Sequence, residues 1–385
     1  MSEALKPIQV VIGTNYGDEG KGQTVHDIAR KFMDEGFSET EILGIKYNGG
    51  AQAGHTARGF VHHTLSSADT LTYLAKQFLF NPVALNKECK DYMIQRMMTP
   101  HTVYVNPYCR VTTPVDILMN QIIETVRNKG RHGSCGMGIH ATIVRNSTLP
   151  LEAKDLISEV FDRKMFTKLL KIHYNGFCQA IRDIPEEFCG INIDKVMDDF
   201  YSEADTCFSK YAKVMDFGPL MATGIKRIIY EGAQGLLLDE DNMASYPHVT
   251  PSHTGSDYVI DDLSEYWRSE WPDVTVNYVM RTFVTRHGAG PLDNETDIKD
   301  ILGETEGDST NVPNEWQGTI RYARYNNDIC FPQVMADVQK WEEFGMKPEF
   351  RAVVTWQDIC PDIVTACGSV LVEDFVKDFD KYVNK

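Results

Sequence analysis

Residues 8–36 constrain this chain more than any other stretch. IQVVIG is an apolar run closing on glycine, and TNYGDEGKGQ is a glycine-rich loop. TVHDIARKFMDEG then places Val25, Ile28, Ala29 and Phe32 at helical spacing before a stop at Gly36. Such a helix buries its apolar stripe only by folding back onto the sheet that the strand belongs to. The theme recurs downstream in EILGIKYNGG, TPHTVYVNP, KRIIYEG, VNYVMRTFVT and EFRAVVTW, with helical stretches such as PVDILMNQIIETVRN between them. The pattern predicts an α/β fold: a mixed, mostly parallel central sheet with helices on both faces and a P-loop-like phosphate-binding turn. Residues 151–217 are rich in acidic and aromatic residues and carry no glycine motif, so they read as a helical insertion within one domain spanning 1–385. VEDFVKDFDKYVNK reads as a final amphipathic helix. The glycine-rich stretches fall mostly where strands end, the edge at which open α/β sheets bind ligands.

The surface limits the ligand. Lys plus Arg is 38 and Asp plus Glu is 55, giving a net charge of −17, and no basic block overrides it. A nucleic-acid backbone is repelled by such a protein; a small nucleotide held in a pocket with its own positive groups is not. No apolar run approaches the ~18 residues of a membrane helix. MSEALKPIQ lacks a signal-peptide pattern, so a cytoplasmic enzyme is expected, with no membrane partner. The 9 cysteines show no CxxC pair, which fits reduced thiols better than a disulfide framework or a zinc ribbon.

GDEGKG departs from the P-loop pattern twice: Asn15 stands where the first glycine belongs, and Gly22 where Ser or Thr follows the lysine. Gly17, Gly20 and Gly22 still let backbone N–H groups converge at a helix N-terminus, and Lys21 adds charge. Asp18 is then no phosphate contact; it ligates Mg²⁺, removes a substrate proton, or does both. An ordinary turn with Asp18 as helix cap is the competing reading. NGGAQAGHT surrounds His55 with small residues, as a close approach to a ligand requires, and His55 can donate to a phosphoryl oxygen. In YEGAQGLLLDEDNMASYPHVTPSHTGS, Gln234 suits a base carbonyl and Thr250 and Ser252 a phosphate, while Glu240, Asp241 and Asn242 read as a solvated acidic loop.

GDEGKG, AGHT, EGAQG with YPxVTxS, and TRHGAGP, in that order across residues 13–291, resemble the adenylosuccinate synthetase family. The resemblance implies a homodimeric ligase that joins L-aspartate to C6 of a purine nucleoside monophosphate at the expense of a nucleoside triphosphate. By resemblance, Asp18 is the base that takes the purine N1 proton and, with the Gly54 carbonyl, ligates Mg²⁺. His55 stabilises the phosphoryl group in transfer, and Lys21 contacts phosphates with Gly17, Glu19, Gly20, Gly22 and Thr56. Gln234 contacts the purine and Thr250 the 5′-phosphate. HGSCGMGI occupies a phosphate-lining segment, placing Ser134 and Cys135 where the family has threonines, and Arg145 is the candidate for an arginine reaching into the neighbouring subunit.

Departures from the family pattern concern the substrates. In TNVPNEWQGTIRYARYNND, within a substrate loop of about 304–328, Arg321 keeps the arginine that grips aspartate, with Asn314, Gln317 and Thr319 beside it. Thr319 occupies the place of a second arginine, which holds a ribose 2′-hydroxyl; its loss suits a 2′-deoxy nucleotide. VVTWQD keeps Asp358 but puts Trp356 where GTP-using members have lysine, and the chain ends 27 residues later without a GPxR segment. A tryptophan suits stacking on adenine, although a packed core tryptophan is an equal reading. The combination is similar to the bacteriophage branch that uses dGMP, aspartate and ATP. An IMP-using synthetase and a nucleotide-binding switch protein without ligase activity are the alternatives.

Overall fold

The computed structural model describes residues 6–127, 130, 133–267, 271–303, 316 and 318–383. Eight strands form its central sheet. Their order is Glu349–Thr355, Val274–Arg281, Ile8–Gly13, Arg227–Gly235, Ile42–Lys46, Leu71–Leu74, Val103–Val105, Ala212–Val214. Every neighbouring pair runs parallel, so this sheet is not merely mostly parallel. Among the described strands, antiparallel pairing is confined to small sheets, including the His55–Ala57/Phe60–His62 hairpin and the set Val284–Arg286, Arg321–Ala323 and Glu295–Thr296.

Alternation along the first strand divides the core. Ile8, Val10 and Ile12 join Tyr278, Trp341, Phe375 and Phe379 on one face. Val11 joins Val25, Ala29 and Phe32 of the helix Lys21–Asp34 on the other. Burying each large apolar side chain of that stripe contributes about 1.5–3 kcal/mol. The helix Val372–Val383 adds Phe375, Phe379 and Val383, as its amphipathic pattern predicts.

The 151–217 region is helical over Arg163–Ala180 and Ile193–Lys210, which bury Phe166, Leu170, Met197 and Phe200 in a second core with Leu85, Val103 and Ile122. It is not only an insertion, however. Its last part, Ala212–Val214, is the edge strand of the central sheet.

From Gly13 the chain crosses toward Ile42–Lys46, whereas from Gly235 it crosses the other way, to Val274–Arg281. These two adjacent strands therefore send their connections in opposite directions along the sheet, the arrangement at which such sheets usually seat a ligand.

Candidate active site

The loop after the first strand is built around Glu19. Its Oε1 accepts the backbone N–H groups of Asn15 at 3.0 Å and Gly17 at 2.8 Å. Its Oε2 accepts from Lys21 Nζ at 2.8 Å, and Lys21 also donates to the Gly17 carbonyl at 2.7 Å. Both side chains are almost fully buried, 1% and 3% exposed. Expected as nucleotide contacts, Glu19 and Lys21 here shape the loop from within. Negative charge is tolerated inside a phosphate-type turn because that charge is neutralised before any ligand arrives.

The glycines have steric reasons. A Cβ on Gly13 would lie 2.2 Å from Glu19 Oε2. One on Gly22 would lie 2.8 Å from the Cβ of His55, so the missing Ser or Thr is the space that the His55 hairpin occupies. Gly20, at φ 90°, caps the helix without a side-chain hydrogen bond, which removes the reading of Asp18 as the cap.

Asp18 instead turns toward Arg281, whose Nη2 donates to its Oδ2 at 2.7 Å. Arg281 is 4% exposed and Asp18 30%. The guanidinium lies 4.4 Å from the centre of the Trp356 ring, and Phe283 meets the same ring edge-on at 5.6 Å. Trp356 holds φ 67°, a strained conformation for a bulky residue, at the end of the strand Glu349–Thr355. Asp358 lies exposed in the following turn. Thr355 Oγ1 donates to the Glu19 carbonyl at 2.7 Å and ties this strand end to the loop.

His55 faces a buried carboxylate. Its Nδ1 is 2.6 Å from Glu231 Oε1, and the same carboxylate takes Lys46 at 3.1 Å, Ser66 Oγ at 2.9 Å, and the Ser67 amide and hydroxyl at 3.0 and 2.7 Å. Burial, reinforced by the charge of Lys46, pushes the imidazole down to about 4 despite its bond to Glu231. Burial would raise the Glu231 carboxyl, but Lys46, His55 and Ser67 together hold it well below the carboxylate range. At neutral pH the ring is thus uncharged, and Nδ1–H donation to Glu231 leaves Nε2 as an acceptor. Donation from Nε2 requires the ring to gain a proton, which an anionic phosphate nearby favours. Gly54 and Thr56 flank this histidine on the exposed side.

Gln234 sits at φ 65°, where glycine is usual, packed so closely on Gly17 that a Cβ there would lie 3.0 Å from its Cα. Asn48 fixes the neighbouring backbone, accepting from the Ala233 amide at 2.7 Å and donating to the His253 carbonyl at 2.9 Å. Thr250 is half-buried and its amide bonds the Leu238 carbonyl at 2.8 Å, while Ser252 Oγ donates to the His253 carbonyl. Of the acidic stretch, Glu240 and Asp241 are exposed, Asn242 is half-buried, and Asp239 and Asp241 lie beside His253. The Asp239 hydrogen bond pushes His253 up to about 9, so in the metal-free chain this cluster is an ion pair at neutral pH.

Arg145 requires a correction. Its guanidinium is fully buried, bonding both oxygens of Asp116 at 3.1 and 2.9 Å and the carbonyls of Leu149 and Val111. A side chain so enclosed cannot reach a neighbouring subunit; it locks the helix Ile139–Thr148 to the Pro114–Arg127 helix. Ser134 takes a hydrogen bond from Asn120 at 2.9 Å, and burial pushes the Cys135 thiol up to about 11. Around them Gly133 abuts Ala289, and Trp316 covers Gly136, so three expected segments meet here. Thr319 is exposed, and Asn314 and Gln317 lie outside the described residues.

Sequence reasoning singled out neither Glu231, Lys46, Arg281 nor Glu295. Two carried a signal: an acid inside EGAQG, and a lysine ending the otherwise apolar ILGIK. Arg281 and Glu295 matter only through partners distant in sequence.

The fold and site together define a nucleotide-handling enzyme whose phosphate loop, histidine–carboxylate pair and strained glutamine converge at strand ends. The family model for adenylosuccinate synthetase matches residues 10–317, most of the chain, and this protein belongs to that family. Its members are nucleoside-triphosphate-dependent carbon–nitrogen ligases. Two solved structures share the fold. A fully ligated adenylosuccinate synthetase from Plasmodium falciparum matches with a TM-score of 0.66 at 19% identity, covering 91% of this chain and 77% of that one. The succinoaminodeoxyadenylate synthetase of cyanophage S-2L, bound to dGMP and dATP, matches with a TM-score of 0.57 at 15% identity, covering 99% and 90%.

Proposed function

We propose that this ligase joins L-aspartate to C6 of dGMP with ATP as phosphoryl donor, giving the N6-succino derivative of 2-amino-2′-deoxyadenylate for diaminopurine DNA. In the first step Asp18 takes the N1 proton while O6 of the purine receives the γ-phosphoryl group. In the second, the aspartate amine attacks C6 and the phosphate leaves with the C6–O6 bond. Gln234 holds the purine, Thr250 its 5′-phosphate, His55 the transferring phosphoryl oxygens, and Arg321 a carboxylate of aspartate.

The observation that carries this reading is the placement of Asp18: a partly exposed carboxylate on the phosphate-type loop, on the same short segment as Gly17, against which Gln234 is pressed. Asp18 and the exposed Gly54 backbone offer oxygen donors, the set that Mg²⁺ prefers, and they are the residues that would hold it. Bound Mg²⁺ would supply charge neutralisation beside the γ-phosphate. The 2′-deoxy and ATP preferences draw support from exposed Thr319, from the Trp356 ring beside the loop, and from the cyanophage fold relative. Asp18 itself also supports a second reading, IMP with GTP, because hypoxanthine carries the same N1 proton. A homodimer acting as one synthetase domain in the cytoplasm belongs to this reading, with a residue other than Arg145 crossing the interface.

Phosphate release measured with Mg²⁺ and aspartate, pairing ATP or GTP with dGMP or IMP, tests it. Release that needs both aspartate and dGMP is expected. Release with IMP instead favours the second reading, and release indifferent to aspartate refutes both in favour of a switch protein.

A further inference from the structure

The fork assigned to substrate aspartate already holds a carboxylate of the chain. Arg321 Nε donates to Glu295 Oε1 at 2.8 Å and Nη2 donates to Glu295 Oε2, a bidentate pair. Nη1 donates to the carbonyls of Gly288 at 3.2 Å and Gly290 at 2.9 Å. Four bonds occupy a group with five N–H donors, so a second bidentate carboxylate cannot bind without releasing one of these partners.

The setting favours release of Glu295. Arg321 lies directly across the strand pair from Arg286, so two guanidinium groups share one small sheet. Arg286 is buried and committed to the carbonyls of Pro291 and His248, with its face on the Tyr16 ring. The pair would attract any anion, and Glu295 is the carboxylate of the chain that Arg321 holds. Yet the Glu295 side chain is 45% exposed, on the two-residue strand Glu295–Thr296 next to Asn294 at φ 55°. Turning outward, its carboxylate regains water at little cost, unlike the buried Glu19 or Glu231. The Gly288 and Gly290 bonds, by contrast, hold the guanidinium in place from the backbone side.

We propose that Glu295 is an internal stand-in for the substrate carboxylate: it fills the Arg321 fork in the aspartate-free enzyme and is displaced when aspartate binds, so it sets the apparent affinity for aspartate. This rests on the ligase reading, through the role given to Arg321. It places on Glu295 a control of substrate affinity that contributes no contact to the bound substrate.

Calorimetric titration of L-aspartate into the full-length protein and its variants tests the idea apart from turnover. In Glu295→Gln, which keeps the shape but removes the charge, aspartate should bind about fivefold more tightly, the size a half-exposed ion pair supports. Glu295→Asp retains the charge and should stay within about twofold of the parent. Unchanged or weaker binding in Glu295→Gln overturns the proposal and makes Glu295 a positioning residue for Arg321. Equal tightening in both variants also overturns it, because charge competition is then not the cause. The ligase reading fails separately, when the parent protein shows no aspartate-dependent phosphate release.

Discussion

At the scale of the residue, charges in this site are compensated within the chain before any substrate arrives. Lys21 faces Glu19, Asp18 faces Arg281, and Lys46 and His55 share Glu231. Substrate binding is therefore an exchange of partners, and which pairs can exchange follows from burial. The Lys21–Glu19 pair is enclosed and expensive to open, whereas Asp18 has solvent on one side. Asp18→Ala should abolish turnover while the chain still folds, with a smaller loss of stability than Glu231→Gln because Asp18 keeps solvent on one side. Near-normal phosphate release by that variant would sink its role as base. Glu231→Gln should act differently: it removes the counter-charge of a proton-bearing His55, so turnover should fall by two or more orders of magnitude, roughly the range of general acid–base effects. Because the same change leaves Lys46 buried without an anion, about 3–5 kcal/mol of stability should go with it, measurable by denaturant unfolding.

At the scale of the element, fit between backbones decides what side-chain pattern leaves open. Gly22→Ser restores the residue expected of a P-loop, but its Cβ would meet the His55 hairpin at 2.8 Å. A loss of about 1–3 kcal/mol in stability is expected, with weaker nucleotide binding, and thermal melts with and without ATP read both. The stripe Val25, Ala29, Phe32 was legible because a helix on a sheet needs such a face. The edge strand Ala212–Val214 was not legible: three residues carry no measurable alternation, and only the neighbouring Val103–Val105 strand makes them one.

At the scale of the whole molecule, buried titrating groups pull stability in opposite directions with pH. Burial pushes His55 and His62 down to about 4, so the unfolded chain binds the additional protons below 6.5. Their contribution is present above that pH and is lost as pH falls toward 4. Burial pushes Glu88 and Asp262 up to about 7, so here the folded chain holds the additional protons. That contribution is present below about 4.5 and is lost as pH rises through 7. The two sets oppose one another across the window between. Glu88→Gln removes one opposing group, so its melting temperature should climb more steeply than that of the parent between about pH 5 and 7. An unchanged slope in thermal melts would contradict the upward push of burial on the Glu88 carboxyl.

What the sequence determined by itself was local and periodic: six of the eight strands of the central sheet, the first helix, the glycine loop, the final amphipathic helix, and the four ordered motifs that carry the family. These were legible because hydrophobic period and glycine placement act within a few residues of one another. The tertiary structure alone decided where the charges go. Arg145 read as a reaching arginine until Asp116, 29 residues away, proved to hold it. Asp18 and Arg281 are 263 positions apart, and Glu231 and His55 are 176. The direction and protonation of a charged side chain depend on what encloses it, and that enclosure is assembled from distant strands.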